Sequence, residues 1–344
     1  MHGLGGNYPF TVVPPVHNQF MPPVNRNKPK RAASSESSWS LMEFQADFPD
    51  DAACLEWLWR TRFSPDGEHA HCPKCDRERV FKKYEMCNRN TSWTCTGCSW
   101  HVSPLAGTIF HKSSTSLHLW FYAMYLMVST RCGISAKQLE RELGVTYKTA
   151  WRMFHLIRNE LMTQDDDTLT GEVEMDETYV GGKSRAKDRA AWAASRNPRS
   201  AARKWADEKK VPVFGMVERG GKVAAFVVPS TQGLTLGEHV EARVLPEAII
   251  FTDEAPAYVG IAQRGKYEHR RIHHKARVYV DGDVHTNTIE GFWALVKNGI
   301  RGSHHAVSAK YLQGYLNEYV WRYNRRDDKR AMFWSLLLRA AEPI

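Results

Sequence analysis

Two CxxC knuckles, a helical stretch from Leu117 to about Met162 and a series of apolar, β-rich runs beyond it predict a multidomain chain. The expected fold class is a zinc ribbon plus an all-α helix-turn-helix segment, followed by an α/β domain built around a mixed sheet. A length of 344 residues leaves room for two or three compact units. With 42% hydrophobic and 25% charged residues the composition is that of a soluble protein, while 47 Lys+Arg against 38 Asp+Glu give +9, a balance that favours a polyanionic partner. The excess is uneven: Lys183 to Lys210 holds ten basic and three acidic residues, +7 of the total. A solvated face or linker produces the same run, so charge alone does not assign it.

Residues 1–38, rich in Gly, Pro, Asn and Ser, lack the periodicity of a packed element and are expected to form a disordered arm. Residues 39–70 show helical apolar spacing on both sides of a Pro-Asp break and form a helical lead-in.

Residues 71–112 carry the cysteines. Cys72 and Cys75 in CPKC and Cys95 and Cys98 in CTGC stand nineteen residues apart, the spacing of a four-thiolate zinc site. Four thiolates close the tetrahedron and leave no open position, so the Zn2+ is expected to be structural. A redox pair needs only one CxxC. His71 and His101 flank the knuckles as alternative ligands, and Cys54, Cys87 and Cys132 are expected in the core. Lys74, Arg77, Arg79, Lys82 and Lys83 are expected to crowd one side of the ribbon, where they suit phosphate contact.

Residues 113–164 read as three helices interrupted at RCGIS and LGVTY. The apolar LWFYAMYLMV is half the length of a membrane span, so no membrane contact is expected and a cytoplasmic, nucleoid-associated location is the expectation. In the second and third helices Ile134, Leu139 and Leu143 face Ala150, Met153, Phe154 and Ile157 across a turn at Gly144. This is the layout of a DNA-binding helix-turn-helix, whose second helix would offer Tyr147, Lys148 and Arg152 to the major groove; any helical pair shows a similar pattern.

Residues 170–326 form the α/β domain, with the basic insertion 183–210. EVEMDETYV, VPVFGMVE, KVAAFVVP and EAIIFTD read as strands, RGGK as a hairpin turn and LTLGEHVEARVL as a helix, with two further helices from about 286 and 308 and a C-terminal helix in 327–344. Asp176 and Asp253 each come after an apolar run and are expected at the C-terminal tips of buried strands, with Glu290 arriving from a helix. Three carboxylates converging on one sheet edge repel one another unless cations lie between them. Hard oxygen ligands suit Mg2+ or Mn2+, and two such ions serve phosphoryl transfer. Glu177 and Glu254 stand next to the two aspartates as competing ligands, and Lys297 lies two turns beyond Glu290.

The order of CPKC...CTGC, SPLAGTIF, GISAKQLERELGVTYKTAWRM, MDETYVGGK, VFGMVER, TDEAPAY, HTNTIEGFWALVKNGIRG and YLNEYVWRYNRR resembles the bacterial insertion-sequence transposases of the family numbered fifteen ninety-five, with an ISXO2-like DDE domain, over residues 40 to 326. The resemblance implies an RNase H-like catalytic domain, a metal triad of Asp176, Asp253 and Glu290 with Lys297 as the basic residue beyond it, and an N-terminal module that recognises terminal inverted repeats. Some subgroups place Asn or His at the third position, and His285 and Asn287 lie close by in this chain. The expected activity is that of a DNA transposase that cuts and joins strands, working on transposon ends and target DNA as a dimer or higher homo-oligomer. The alternatives are a non-catalytic DNA-binding regulator or transposase relic, and a nuclease without strand transfer.

Overall fold

The structure, a computed structural model, describes residues 39–85, 91–130, 132–181, 186–260, 267–271, 285–328 and 330–344. The arm expected at 1–38 and Cys87 lie outside the described residues. Contacts divide the chain into two units, one running to Ser129 and taking in Phe333–Ile344, the other Thr130–Met332.

In the first unit α1 (Leu41–Asp47) starts in a capping box between Ser40 and Glu43, and α2 (Asp51–Arg62) starts where the Asp50 carboxylate accepts the Ala53 N–H at 2.8 Å. Four antiparallel strands come next in the order β1 (His69–Cys72), β2 (Arg77–Glu85), β3 (Thr91–Cys95), β4 (His101–Val102). Trp59 of α2 stacks on Trp93 of β3 at 4.8 Å, which supplies the little ribbon with an apolar floor it could not build from its own residues. The next helix, α3 (Leu117–Ser129), is apolar on nearly all sides and buries Phe121 against Phe48 and Phe110. The C-terminal helix Met332–Ala341 joins this cluster through Phe333 and Trp334, a return that nothing in its local sequence announces.

The second unit opens with the helix pair. Ser135 caps α4 (Ala136–Leu143) by accepting the Gln138 N–H, Gly144 ends it at φ +64°, and Thr146 caps α5 (Tyr147–Leu156). The sequence groups these two helices with α3, whereas the contacts put α3 in the first unit and the pair in the second. The reason is packing: Arg158, just past α5, is buried in an ion pair with Glu318 of a later helix, its guanidinium between the rings of Phe154 and Tyr315.

The five-stranded sheet has the order β7-β6-β5-β8-β9. β5 (Glu172–Gly181), β6 (Lys210–Glu218) and β7 (Val223–Val227) are antiparallel neighbours, and β8 (Ile249–Thr252) and β9 (Glu268–Arg271) continue from β5 in parallel. This is the mixed sheet expected. Between β5 and β6 the basic insertion forms two helices, α6 (Ala186–Ala193) and α7 (Pro198–Lys209), joined by an edge contact of Trp192 on Trp205. One face of the sheet, with Val173, Met175, Phe214 and Met216, packs on α8 (Gly233–Arg243). The other, with Val180, Val213 and Val217, packs on α9 (Asn287–Gly299) and α10 (Leu312–Asn324). Gly215 pairs with Asp176 and lets α9 approach: a Cβ there would stand 2.5 Å from the Trp293 ring.

Candidate active site and metal centre

The two knuckles are built alike. The N–H of Asp76 donates to the Cys72 carbonyl at 2.8 Å and that of Ser99 to the Cys95 carbonyl at 2.9 Å, with Asp76 and Ser99 both in the left-handed region at φ 51° and 57°. Each turn folds its two thiols back toward the other pair, leaving Sγ separations of 3.5 Å for Cys72 and Cys98 and 4.0 Å for Cys75 and Cys95. A tetrahedron of thiolates about 2.3 Å from zinc needs sulfur atoms about 3.8 Å apart, so the cage fits the ion. Burial raises both thiols of the second knuckle; at Cys95 the backbone N–H groups of Gly97 and Cys98 outweigh it and bring it down to about 7, while Cys98, also bonded to Cys75, is pushed up to about 12. Among the described residues the four cysteines are the one group of Cys, His, Asp or Glu whose ligand atoms all lie within 4.8 Å of one another. His71 instead faces Asp76 and His101 bonds Thr94. Cys54 is buried as expected, but Cys132 is exposed, on the link ahead of α4.

The basic residues of the ribbon do not share one side. Lys74 and Arg77 are exposed near the first knuckle, yet alternation along β2 sends Lys82 to the face opposite Phe81 and Lys83. On α5 Tyr147, Lys148 and Arg152 are all exposed, Tyr147 by 47%. They occupy the first turn and a half of a capped helix.

The carboxylates are set by the sheet. Glu174 of β5 pairs with Phe251 of β8 in parallel, and continuing that register by two residues brings Asp253, just past the strand end, level with Asp176. Adjacent strands are about 4.8 Å apart. The apolar run before Asp176 predicts a strand tip; the residue lies in mid-strand, because β5 runs on to Gly181 beside β6 after β8 has ended. Glu290 occupies the first turn of α9, on the sheet face that Asp176 addresses. Burial first, then the charge of Asp253 and more weakly that of Glu290, push the Asp176 carboxyl up to about 6. Asp253 and Glu290 are both near enough to act on the charge of Asp176, while Asp253 also accepts the Ala255 N–H at 2.8 Å, and three hard carboxylates of this kind are a donor set whose chemistry suits a divalent cation.

Glu177 points through the sheet to the opposite face, beside the buried Tyr258, and burial pushes it up to about 7. Glu254 has left the strand, and its backbone carbonyl accepts from Arg271. Lys297 is half-buried in the last turn of α9. Two residues to which the sequence assigns no role belong to the framework of these acids. Glu174, fully buried two positions before Asp176, accepts the N–H groups of Thr288 and Ile289 at 2.8 and 3.0 Å. Arg219, in the hairpin turn, donates to Glu174 at 2.7 Å and to Glu172 at 2.6 Å.

Residues 168–324 match the family of ISXO2-like transposase domains. The chain is 28% identical over 255 residues to a protein in transposable element ISH50 of Halobacterium salinarum, spanning 73% of this chain and 84% of that one. It is also 28% identical to a transposase-like protein of Haemophilus influenzae, over 31% of this chain and 85% of that one. Solved structures with a weak likeness are a simian T-cell lymphotropic virus intasome with PP2A regulatory subunit B56 gamma and a pre-cleavage Mos1 transpososome. The first is 14% identical with a TM-score of 0.29, over 62% of this chain and 74% of that one; the second is 12% identical with a TM-score of 0.24, over 65% and 79%. Likeness at that level does not bear on the chemistry. The domain match over residues 168–324 and the curated relatives support an insertion-sequence transposase with an ISXO2-like domain.

Proposed function

We propose that this chain is an insertion-sequence transposase that binds the terminal inverted repeats of its element and catalyses strand cleavage and strand transfer through a DDE triad of Asp176, Asp253 and Glu290. The observation that carries this reading is the register that levels Asp176 with Asp253 on parallel neighbours, with Glu290 on the helix covering the same face. The strand order β7-β6-β5-β8-β9, with β6 alone antiparallel to both its neighbours, supports an RNase H-like scaffold for it.

In this reading Asp176, Asp253 and Glu290 would hold Mg2+ or Mn2+, which when bound would supply charge stabilisation for an in-line phosphoryl displacement. The protein's own part is to place the strand. Asp176 on β5 and Asp253 directly after β8 keep the scissile phosphate aligned, while Lys297 meets a neighbouring phosphate oxygen. Water attacks first and the 3'-oxygen leaves. The freed 3'-hydroxyl then attacks a phosphodiester of the target, and each broken P–O bond is replaced by a new one without a protein-DNA link. Tyr147, Lys148 and Arg152 read the major groove at the element end, and Lys74, Arg77, Lys82 and Lys83 hold phosphates around the zinc ribbon. The helices of 183–210 add a basic arm for the same backbone. Two ends must be joined in one reaction, so a dimer or larger assembly forms on DNA. No helix among the described residues is long and apolar enough to cross a membrane.

The test incubates the purified chain, Mg2+ and a plasmid bearing the gene with its native flanks, beside Asp253→Asn. Defined cuts at the flanks with joined products, absent in the variant while flank binding persists, are expected. Cuts without joining indicate a nuclease, binding without cuts a regulator, and full activity of the variant rules out the triad.

A further inference from the structure

The helix that carries Glu290 is not capped by its own N-cap residue. Thr286, at the N-cap position of α9, accepts no backbone N–H with its side chain, and the exposed donors of that turn are met by Glu174 from β5. One oxygen of Glu174 accepts both N–H groups, of Thr288 and Ile289; the other accepts the Thr288 hydroxyl at 3.0 Å and Arg219 Nε at 2.7 Å and lies 3.1 Å from His285 Nδ1. Arg219 continues the clamp. Its remaining nitrogens donate to Glu172 at 2.6 Å and to the His285 carbonyl at 2.8 Å, and its guanidinium lies over the Phe251 ring at 4.1 Å. The buried Glu174 and the partly exposed Arg219 thus tie together β5, the hairpin turn, Phe251 of β8 and the entry to α9.

A helix start needs only a Ser or Asp of its own to satisfy its N–H groups, and a buried carboxylate with its guanidinium is a costly substitute. What the distant cap adds is a fixed relation between two elements. Glu174 and Asp176 are on the same face of one strand, two residues apart, and Thr288 precedes Glu290 by two on the helix. The cap therefore fixes the backbone of the turn that carries Glu290 relative to the strand that carries Asp176, and the positive end of the helix reinforces it.

We propose that Glu174 and Arg219 are positioning residues that fix the turn carrying Glu290 against the strand carrying Asp176, so that both carboxylates serve one divalent-cation site. This rests on the triad reading above. Outer residues that orient metal ligands are worth roughly 10- to 100-fold in affinity, which sets the expected effect.

The experiment measures Mn2+ uptake by the full chain from the signal of free Mn2+ in electron paramagnetic resonance. Wild type is compared with Glu174→Gln, Arg219→Lys and Asp253→Asn, with thermal unfolding and amide exchange over 286–299 monitored in parallel. Glu174→Gln keeps size and one acceptor; Arg219→Lys keeps the charge and loses the fork. The expected result is cooperative unfolding in both, faster exchange at the start of α9, and Mn2+ affinity lowered about tenfold or more. Affinity within twofold of wild type in a folded Glu174→Gln, or in Arg219→Lys where the first does not fold, overturns the positioning role while Asp253-dependent uptake stands. Absence of Asp253-dependent uptake in wild type overturns the triad reading and this proposal together.

Discussion

His304 shows how a single residue ties the second unit's stability to pH. Its ring lies edge-on to Tyr315 at 4.8 Å and within 3.4 Å of the Arg158 guanidinium, which is paired with Glu318. Burial first, and the Arg158 charge second, lower the imidazole to about 4, so the folded protein holds it neutral. The sign comes from proton linkage. A histidine depressed on folding binds its proton more readily in the unfolded chain, so its contribution is full above about 6.5 and is lost as pH falls through about 4. Unfolding temperatures measured from pH 7 to pH 4.5 are expected to fall steadily, and His304→Gln, which has no proton to gain, should flatten part of that fall. Parallel curves for the two proteins would show that His304 is not the titrating group.

At the scale of elements, the four-cysteine ribbon is the piece whose fold would depend most on a ligand. Its sheet is short, β4 has two residues, and the floor under it is a small cluster centred on Trp59, Phe81 and Trp93. Metal binding in such modules supplies on the order of 10 kcal/mol of folding free energy. Cys95→Ser is expected to abolish stoichiometric zinc, measured by atomic absorption, and to erase the footprint on the element ends; an unchanged footprint would separate end recognition from the ribbon. This element is legible in the sequence because both its chemistry and its spacing are local. The strands β5 to β8 and the helix pair are legible for the same reason, through apolar runs, RGGK and Gly144. The strand β9 is not, since Glu268–Arg271 is wholly polar and owes its conformation to parallel pairing with β8. Glu174 is hidden more deeply. It sits in a strand as any alternating residue would, and the groups that define its role come from 45 to 115 positions away. The three acids can be picked out because each ends or joins an apolar run, but their depth along the strands cannot, as that depends on where β8 stops and β5 does not.

Over the whole molecule the charge is concentrated where the fold makes an arm. The paired helices α6 and α7 leave the sheet at Gly181 and return at Lys210, which face one another across β5 and β6. The arm therefore departs from the end of β5 beyond Asp176, the same end at which β8 delivers Asp253. Replacing residues 183–209 with a short Gly-Ser linker removes nine basic and three acidic residues and takes the chain from +9 to +3. The β5–β6 register below it stays closed, so the sheet should fold as before. Each phosphate contact contributes about 0.9 to the slope of log K against log salt. If half of the six excess charges meet DNA, the slope for a non-specific duplex should fall by about 3, with the largest loss of affinity at low salt. Binding titrations at several salt concentrations read this directly. An unaltered slope would mean that the arm's charge faces solvent, and that the ribbon and α5 carry the phosphate contacts between them.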